Sequence, residues 1–255
     1  MLKTNITISS ANNEVLKNKT TEAKIVAGTN HFIALTQDGK VYGWGYNGKG
    51  QLGLNNTTSY KEPTYLGIDN AIDVAAGYNH TLVLKSDGTV WTWGYNGNGQ
   101  LGVGDKNART EPTQAKAEKI LEDGTREEEL ITDAIDIAAS YNHTIILRAD
   151  GTVWSTGYNQ YGELGTGDTD ERRIFTQVKG PNGEGYLQNI VQIVSEDYTS
   201  HALTADGSVY SWGYNRYGQF GINKGTGEDA NPYPVKMQKV SNIIQMSTGE
   251  EHISM

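Results

Sequence analysis

The sequence predicts an all-β chain folded as a β-propeller of four-stranded blades, and three observations carry that prediction. A ten-residue motif occurs four times: WGYNGKGQLG from Trp44, WGYNGNGQLG from Trp93, TGYNQYGELG from Thr156 and WGYNRYGQFG from Trp212. Each copy follows an Asp-Gly pair, at Asp38, Asp87, Asp150 and Asp206, which sets a pitch of 49, 63 and 56 residues. Repeats of this length with strand-like patterning build propellers or arrays of small sheets. The third observation is composition: 31 Gly, 15 Tyr and 5 Trp in 255 residues suit tight turns and half-buried strands, not a helical bundle.

The second copy shows how each element is read. The apolar run IDVAA (Ile72–Ala76) predicts a first strand, buried near the propeller axis. A second strand alternates, with Leu82 and Leu84 on one side and Thr81, Val83 and Lys85 on the other. The turn KSDGT follows, and Gly88 supplies the positive φ that Asp-Gly hairpins demand. A third strand, TVWTW, directs Trp91 and Trp93 to one face. Segments near a proline, KEPTYL at Lys61–Leu66 and NPYPVKM at Asn231–Met237, predict a fourth strand at the outer edge, where one ladder N–H can be spared. The expected units are an N-terminal strand or linker (1–24), four repeats at about 25–71, 72–134, 135–191 and 192–243, and a partial fifth (244–255).

Composition excludes several function classes. The net charge is −9 and no basic run stands out, so a nucleic-acid backbone is not an expected partner. There is no cysteine, hence no disulfide, thiol nucleophile or thiolate metal site. The start lacks a signal-peptide apolar core, and no stretch of 18 apolar residues could span a membrane as a helix.

The pattern G-x-x-H, then L-x-x-D-G-x-V-[YW]-x-W-G-x-N-x-x-G-Q-L-G, resembles the repeat of the regulator of chromosome condensation family across residues 25–255. The resemblance implies a seven-bladed propeller, so four full repeats and a partial fifth lead to the expectation of a fragment. The founding member exchanges nucleotide on the small GTPase Ran, and a related subclass inhibits β-lactamases with aromatic loop residues. The insertions and the GPNGEGYL segment (Gly180–Leu187) are similar to bacterial cell-surface repeat proteins, which implies a secreted or surface setting, with cytoplasm as the alternative.

Within the repeats, most recurring polar residues read as architecture. His31, His80, His143 and His252 share one slot, but successive blades hold equivalent positions too far apart for one metal ion, so backbone bonding is expected and no metal or cofactor. The four Asp-Gly aspartates are turn residues, and Asn47, Asn96, Asn159 and Asn215 are expected to bond loop backbone. The insertion from Asp105 to Ala134 reads as a strand pair or short helix in a solvated protrusion or docking arm; from Lys116 to Asp133 it holds 3 basic and 7 acidic residues.

Function is therefore sought where the copies differ. The turn before the repeated histidine varies, through Thr29, Tyr78, Tyr141, Asp197 and Glu250, and so do the loops after the repeated Asn, through Lys49, Tyr161, Arg216 and Tyr217. Tyr and Arg are residue types that anchor protein interfaces. The expected function is a non-enzymatic scaffold that binds a protein or glycan through Tyr78, Tyr141, Asp197, Lys49, Tyr161, Arg216 and Tyr217, possessed also of open sheet edges that allow self-association. Regulation of an enzyme, either as a nucleotide-exchange factor or as a β-lactamase inhibitor using tyrosines 78, 141, 161 and 217, is the alternative. No catalytic residues are expected.

Overall fold

The computed structural model describes residues 21–222, 229–249 and 252–254, with almost every described regular element a β-strand. Blade 1 comprises β1 (Lys24–Ala27), β2 (His31–Leu35), β3 (Val41–Gly45) and β4 (Tyr60–Tyr65), and blade 2 β5 (Ala71–Ala76), β6 (His80–Lys85), β7 (Val90–Gly94) and β8 (Arg109–Gln114). A hairpin of β9 (Lys116–Ile120) and β10 (Arg126–Leu130) precedes blade 3: β11 (Ala134–Ala139), β12 (His143–Arg148), β13 (Val153–Gly157) and β14 (Arg172–Gln177). Blade 4 is β15 (Ile190–Glu196), β16 (Thr199–Thr204), β17 (Val209–Gly213) and β18 (Asn231–Lys236), followed by a short pair, β19 (Ser247–Gly249) and β20 (His252–Ser254). Within each blade the four strands pair antiparallel in chain order.

Two local devices repeat. The Asp-Gly turns close with Gly39, Gly88, Gly151 and Gly207 at φ near +80°, while the aspartate binds the neighbouring Thr or Ser, as in Thr89 N–H to Asp87 Oδ1 at 3.0 Å. The glycine of the WGYN motif marks a register shift against the fourth strand in every blade, with Gly45, Gly94, Gly157 and Gly213 at φ 98–112°. That bulge turns the chain into the Gly-rich loop.

The alternating strands explain how the blades hold together. Leu82, Leu84 and Val90 join Ile137, Ile146 and Phe175 in the core between blades 2 and 3. Val74, Val83 and Trp93, on the opposite face, join Ile33, Leu35 and Leu52 between blades 1 and 2. A third core sets Ile145, Leu147 and Val153 against Ile193, Ala202 and Trp212. Both faces of an interior blade are thus buried, and each fully buried Leu, Ile or Val contributes roughly 1.5–3 kcal/mol. Trp93 and Trp212 fill the space between blades as expected, each indole donating to a carbonyl of the preceding blade's loop, Gln51 O at 2.8 Å and Glu163 O at 2.9 Å.

The acidic insertion is no free protrusion or arm. It forms the β9–β10 hairpin, and β9 pairs parallel with β14 at Phe175–Ala117, extending blade 3 to six strands. Ala115, Ala117 and Ile131 are fully buried in the core beside Phe175, so apolar anchors in the insertion pin it to the sheet. The hairpin's three cations each pair with a glutamate across it, Lys116 with Glu128 at 2.9 Å, Lys119 with Glu129 at 3.8 Å and Arg126 with Glu118. The fourth strand of blade 3 is consequently an inner strand of its sheet, and it is the one without proline. The residues of the expected N-terminal segment up to 20, and Glu250, lie outside the described residues, as does the side chain of His252.

Candidate binding face at the channel mouth

The repeated histidines are structural, and their partners differ from the expected backbone groups. His31 Nε2 lies 3.0 Å from Thr81 Oγ1 of the next blade, and that hydroxyl donates to Gln51 O at 2.8 Å. The imidazole must then donate, so the proton sits on Nε2. The same bolt recurs as His80 to Thr144 (3.1 Å) with Thr144 donating to Gln100 O (2.8 Å), and as His143 to Ser200 (2.8 Å) with Ser200 donating to Glu163 O (3.0 Å). Burial holds these rings neutral, pushing His31 down to about 4 and His80 and His143 down to about 3. Each ring ties its blade to the next one.

The first strands β1, β5, β11 and β15 lie side by side along the inner axis, and the turns joining first and second strands gather at one end of it around a shared cavity, the channel mouth. The repeats read Gly28-Thr29-Asn30-His31, Gly77-Tyr78-Asn79-His80 and Ser140-Tyr141-Asn142-His143, but blade 4 reads Glu196-Asp197-Tyr198-Thr199. All four positions are rewritten there. A fifth change accompanies them in the preceding loop. Gln51 and Gln100 donate to Asn79 and Asn142 of the next blade, both at 3.0 Å, whereas Glu163 faces a blade whose asparagine has become Tyr198. Glu163 keeps the loop bond, accepting from Tyr161 N–H at 2.8 Å, and its Oε1 has no partner among the described residues. Burial raises its carboxyl to about 8, so it is a neutral acid at pH 7.

The rewritten turn joins a continuous track of tyrosines. Tyr78 and Tyr141 meet at 4.3 Å between ring centroids, Tyr141 and Tyr198 at 5.5 Å, and Tyr198 touches both Tyr158 (5.7 Å) and Tyr161 (5.3 Å). Tyr161 continues to Tyr214 at 4.8 Å. Tyr78 and Tyr141 are in close contact, and the other spacings fall within the 4.5–7 Å range of favourable ring pairs. Two cavities flank the track. The larger, about 430 Å³, is lined by Tyr78, Tyr141, Ser140, Glu196 and Asp197 over a floor of Ala and Gly. A smaller one, about 160 Å³, is lined by Tyr161, Tyr198, Tyr214, Gln219 and the same two acids. Asp197 adopts a φ of +32°, a conformation that a non-glycine residue takes up at a cost.

Of the residues singled out from sequence, Tyr78, Tyr141, Asp197 and Tyr161 come together here. Lys49 does not join them; it lies over the Tyr95 ring at 5.9 Å. Arg216 and Tyr217 pair with each other at 5.8 Å, and Tyr217, 59% exposed, makes no ring contact with the track. Tyr158, Tyr198, Tyr214 and Glu196 complete the site. Among the described residues no group of three His, Asp or Glu side chains is placed to hold a metal ion.

The chain matches the RCC1-like domain model over residues 3–255. The chain belongs to the RCC1-like domain family. It is 32% identical to the ultraviolet-B receptor UVR8 of Arabidopsis thaliana over 231 residues, covering 90% of this chain and 49% of that receptor. Among solved structures it is similar to Prp20p of Saccharomyces cerevisiae (TM-score 0.66, 23% identity, 86% of this chain, 51% of that one) and to human WBSCR16 (TM-score 0.73, 22% identity, 92% and 58%). The chain spans about half the length of these RCC1-like relatives.

Tyr158 and Tyr214 stand in the YN that every repeat carries, as do Tyr46 and Tyr95, so sequence variation does not mark them. Only in blades 3 and 4 does a ring from the neighbouring turn, Tyr198, reach them.

Proposed function

We propose that this chain is a non-enzymatic protein-binding propeller module, and that it engages its partner through the tyrosine track at the channel mouth. One observation carries the reading: six tyrosines form one contact track, and five of them border two cavities on the face where the turns of the repeats diverge. Rigid amphipathic aromatics in a shallow concave setting are the residues that dominate protein interfaces. Relatives support the class: UVR8 is named as a receptor, and the Prp20p structure is described with its binding to Gsp1p and histones. None of the relatives named above is named for glycan binding or for a secreted or surface setting, and the proposal is made without either. Regulation of a GTPase remains the second reading, favoured by the name of the human X-linked retinitis pigmentosa GTPase regulator, 40% identical over 85 residues, a third of this chain.

The test is affinity capture followed by mass spectrometry, comparing the parent with a Tyr78→Ala/Tyr141→Ala/Tyr214→Ala variant and with Tyr217→Ala as a control outside the track. A partner retained by the parent and the control but lost from the triple variant is expected. Equal recovery from all three would remove the tyrosine track from the function.

A further inference from the structure

The partner's chemistry can be read from what blade 4 changed. At the channel mouth, Gly or Ser became Glu196 and Thr or Tyr became Asp197, so two carboxylates entered a turn that carries none in blades 1–3. Both cavities share these acids, and tyrosine rings form the remaining large walls. Independently, Glu163 presents a fully buried carboxyl oxygen with no partner where the other loops place an amide aimed at the next blade's turn residue, here Tyr198. Burial first, and then neighbouring tyrosines and Asp197, raise Tyr198 to about 12, so its phenol stays protonated. The rings therefore offer neutral π-faces and hydroxyl groups beside negative charge, on a chain of net charge −9.

That combination recognises a cation with a flat face. Guanidinium stacks on aromatic rings, matches carboxylates through parallel N–H donors and sheds water more readily than ammonium. The smaller cavity, about 160 Å³, is well below the roughly 300–1,000 Å³ of small-molecule pockets and is the size for one side chain. Resting on the protein-binding reading above, we propose that the cleft between Tyr161, Tyr198, Tyr214 and the Glu196–Asp197 turn takes an arginine side chain of the protein partner. The arginine enters between the rings and ends on the Asp197 carboxylate, with Glu196 buried behind it, and the Tyr78–Tyr141 cavity receives the backbone and residues flanking it.

The test uses the full chain, ¹⁵N-labelled, titrated with acetyl-Gly-Arg-Gly-amide and followed by amide chemical shifts in NMR. Saturable shifts are expected at Tyr141, Asp197, Tyr198 and Thr199, with an affinity in the millimolar range suited to one side chain. The citrulline peptide, which keeps the shape and loses the charge, should bind at least five-fold more weakly, and the lysine peptide should fall between them. Asp197→Asn should weaken arginine binding by a similar factor; Asn tolerates the same positive φ, so its spectrum should otherwise overlay that of the parent. Absence of saturable shifts, equal binding of the citrulline or lysine peptide, or an undiminished response in Asp197→Asn would overturn the proposal. A partner captured through the tyrosines but held equally by Asp197→Asn would leave the protein-binding reading standing while this one falls.

Discussion

Lowering the pH from 7 to 5 should strip this fold of much of its stability, through the four described histidines. His31, His80, His143 and His201 are all buried, and burial depresses each, to about 4 for His31 and His201 and about 3 for His80 and His143. The unfolded chain protonates its imidazoles near 6.5, so between 6.5 and the folded values it binds more protons than the native state, and stability falls as the pH drops. At pH 5 each histidine has cost about 2 kcal/mol relative to pH 7, and this figure requires only that the folded values lie well below 5. The four together remove about 7 kcal/mol. Glu163 works the other way: its raised value means that the folded carboxyl keeps its proton where the unfolded one ionises, so acidification returns about 2–3 kcal/mol. The net loss, about 5 kcal/mol, is comparable with the whole stability of a marginal domain. Urea unfolding followed by fluorescence of the buried Trp93 and Trp212 should show a large drop in midpoint between pH 7 and 5. His80→Gln, whose amide can still donate to Thr144, should lose about 2 kcal/mol less over the same interval. A midpoint unchanged between the two pH values, or an identical drop in His80→Gln, would refute the neutral-bolt reasoning.

Two further outcomes follow from the same junctions. Glu163→Gln should raise the melting temperature at pH 8, by an amount equivalent to ~1–3 kcal/mol, because a neutral amide removes the cost of keeping a carboxyl protonated. The folded value is raised, so Glu163 carries its full stability only below about 4.5 and loses it towards 8; thermal melts at both pH values should show the variant's advantage vanishing at the acid end. Gly77→Ser should destabilise less than Gly77→Ala, by ~1 kcal/mol in urea titration. Both add a Cβ that falls on the His80 ring, but only serine can bond the Nδ1 left without a partner there, as Ser140 bonds His143 Nδ1 at 2.5 Å in blade 3.

The fold was legible because each level of the sequence pointed the same way. The alternation in His80–Lys85, the Asp87-Gly88 turn, the bulge at Gly94 and the buried Trp93 are local choices that agree with one blade, and repetition multiplied their weight. The insertion was read less well. Its charge suggested a solvated arm, while its attachment rests on three small anchors, Ala115, Ala117 and Ile131, too sparse to show as a period. The histidine bolts were half read: one slot per repeat is visible in sequence, but the partner hydroxyls of Thr81, Thr144 and Ser200 lie 50 to 64 residues away. Among the site residues, Tyr78, Tyr141 and Asp197 were found because their positions vary, whereas Tyr214 was concealed by standing in a motif that does not.

Blade 4 shows why divergence within a repeat array points to function. The regular junction is bound three times over: by a His–hydroxyl bolt, by an indole or threonine on a loop carbonyl, and by a Gln–Asn bond such as Gln51 to Asn79. At the blade 3–4 junction the first two survive in His143–Ser200 and Trp212–Glu163 O, together with the core around Ile145 and Ala202. The third is gone, replaced by a buried acid with an unpartnered oxygen. Framework drift would be expected to restore glutamine, since the neutral amide avoids the penalty that Glu163 carries at physiological pH. The acid instead accompanies four changes on the adjoining turn, two of which add charge and one of which, Tyr198, bridges the tyrosines of blades 3 and 4. A junction that gives up stability at one edge while retaining its core is the expected signature of a surface shaped for a partner and not for packing.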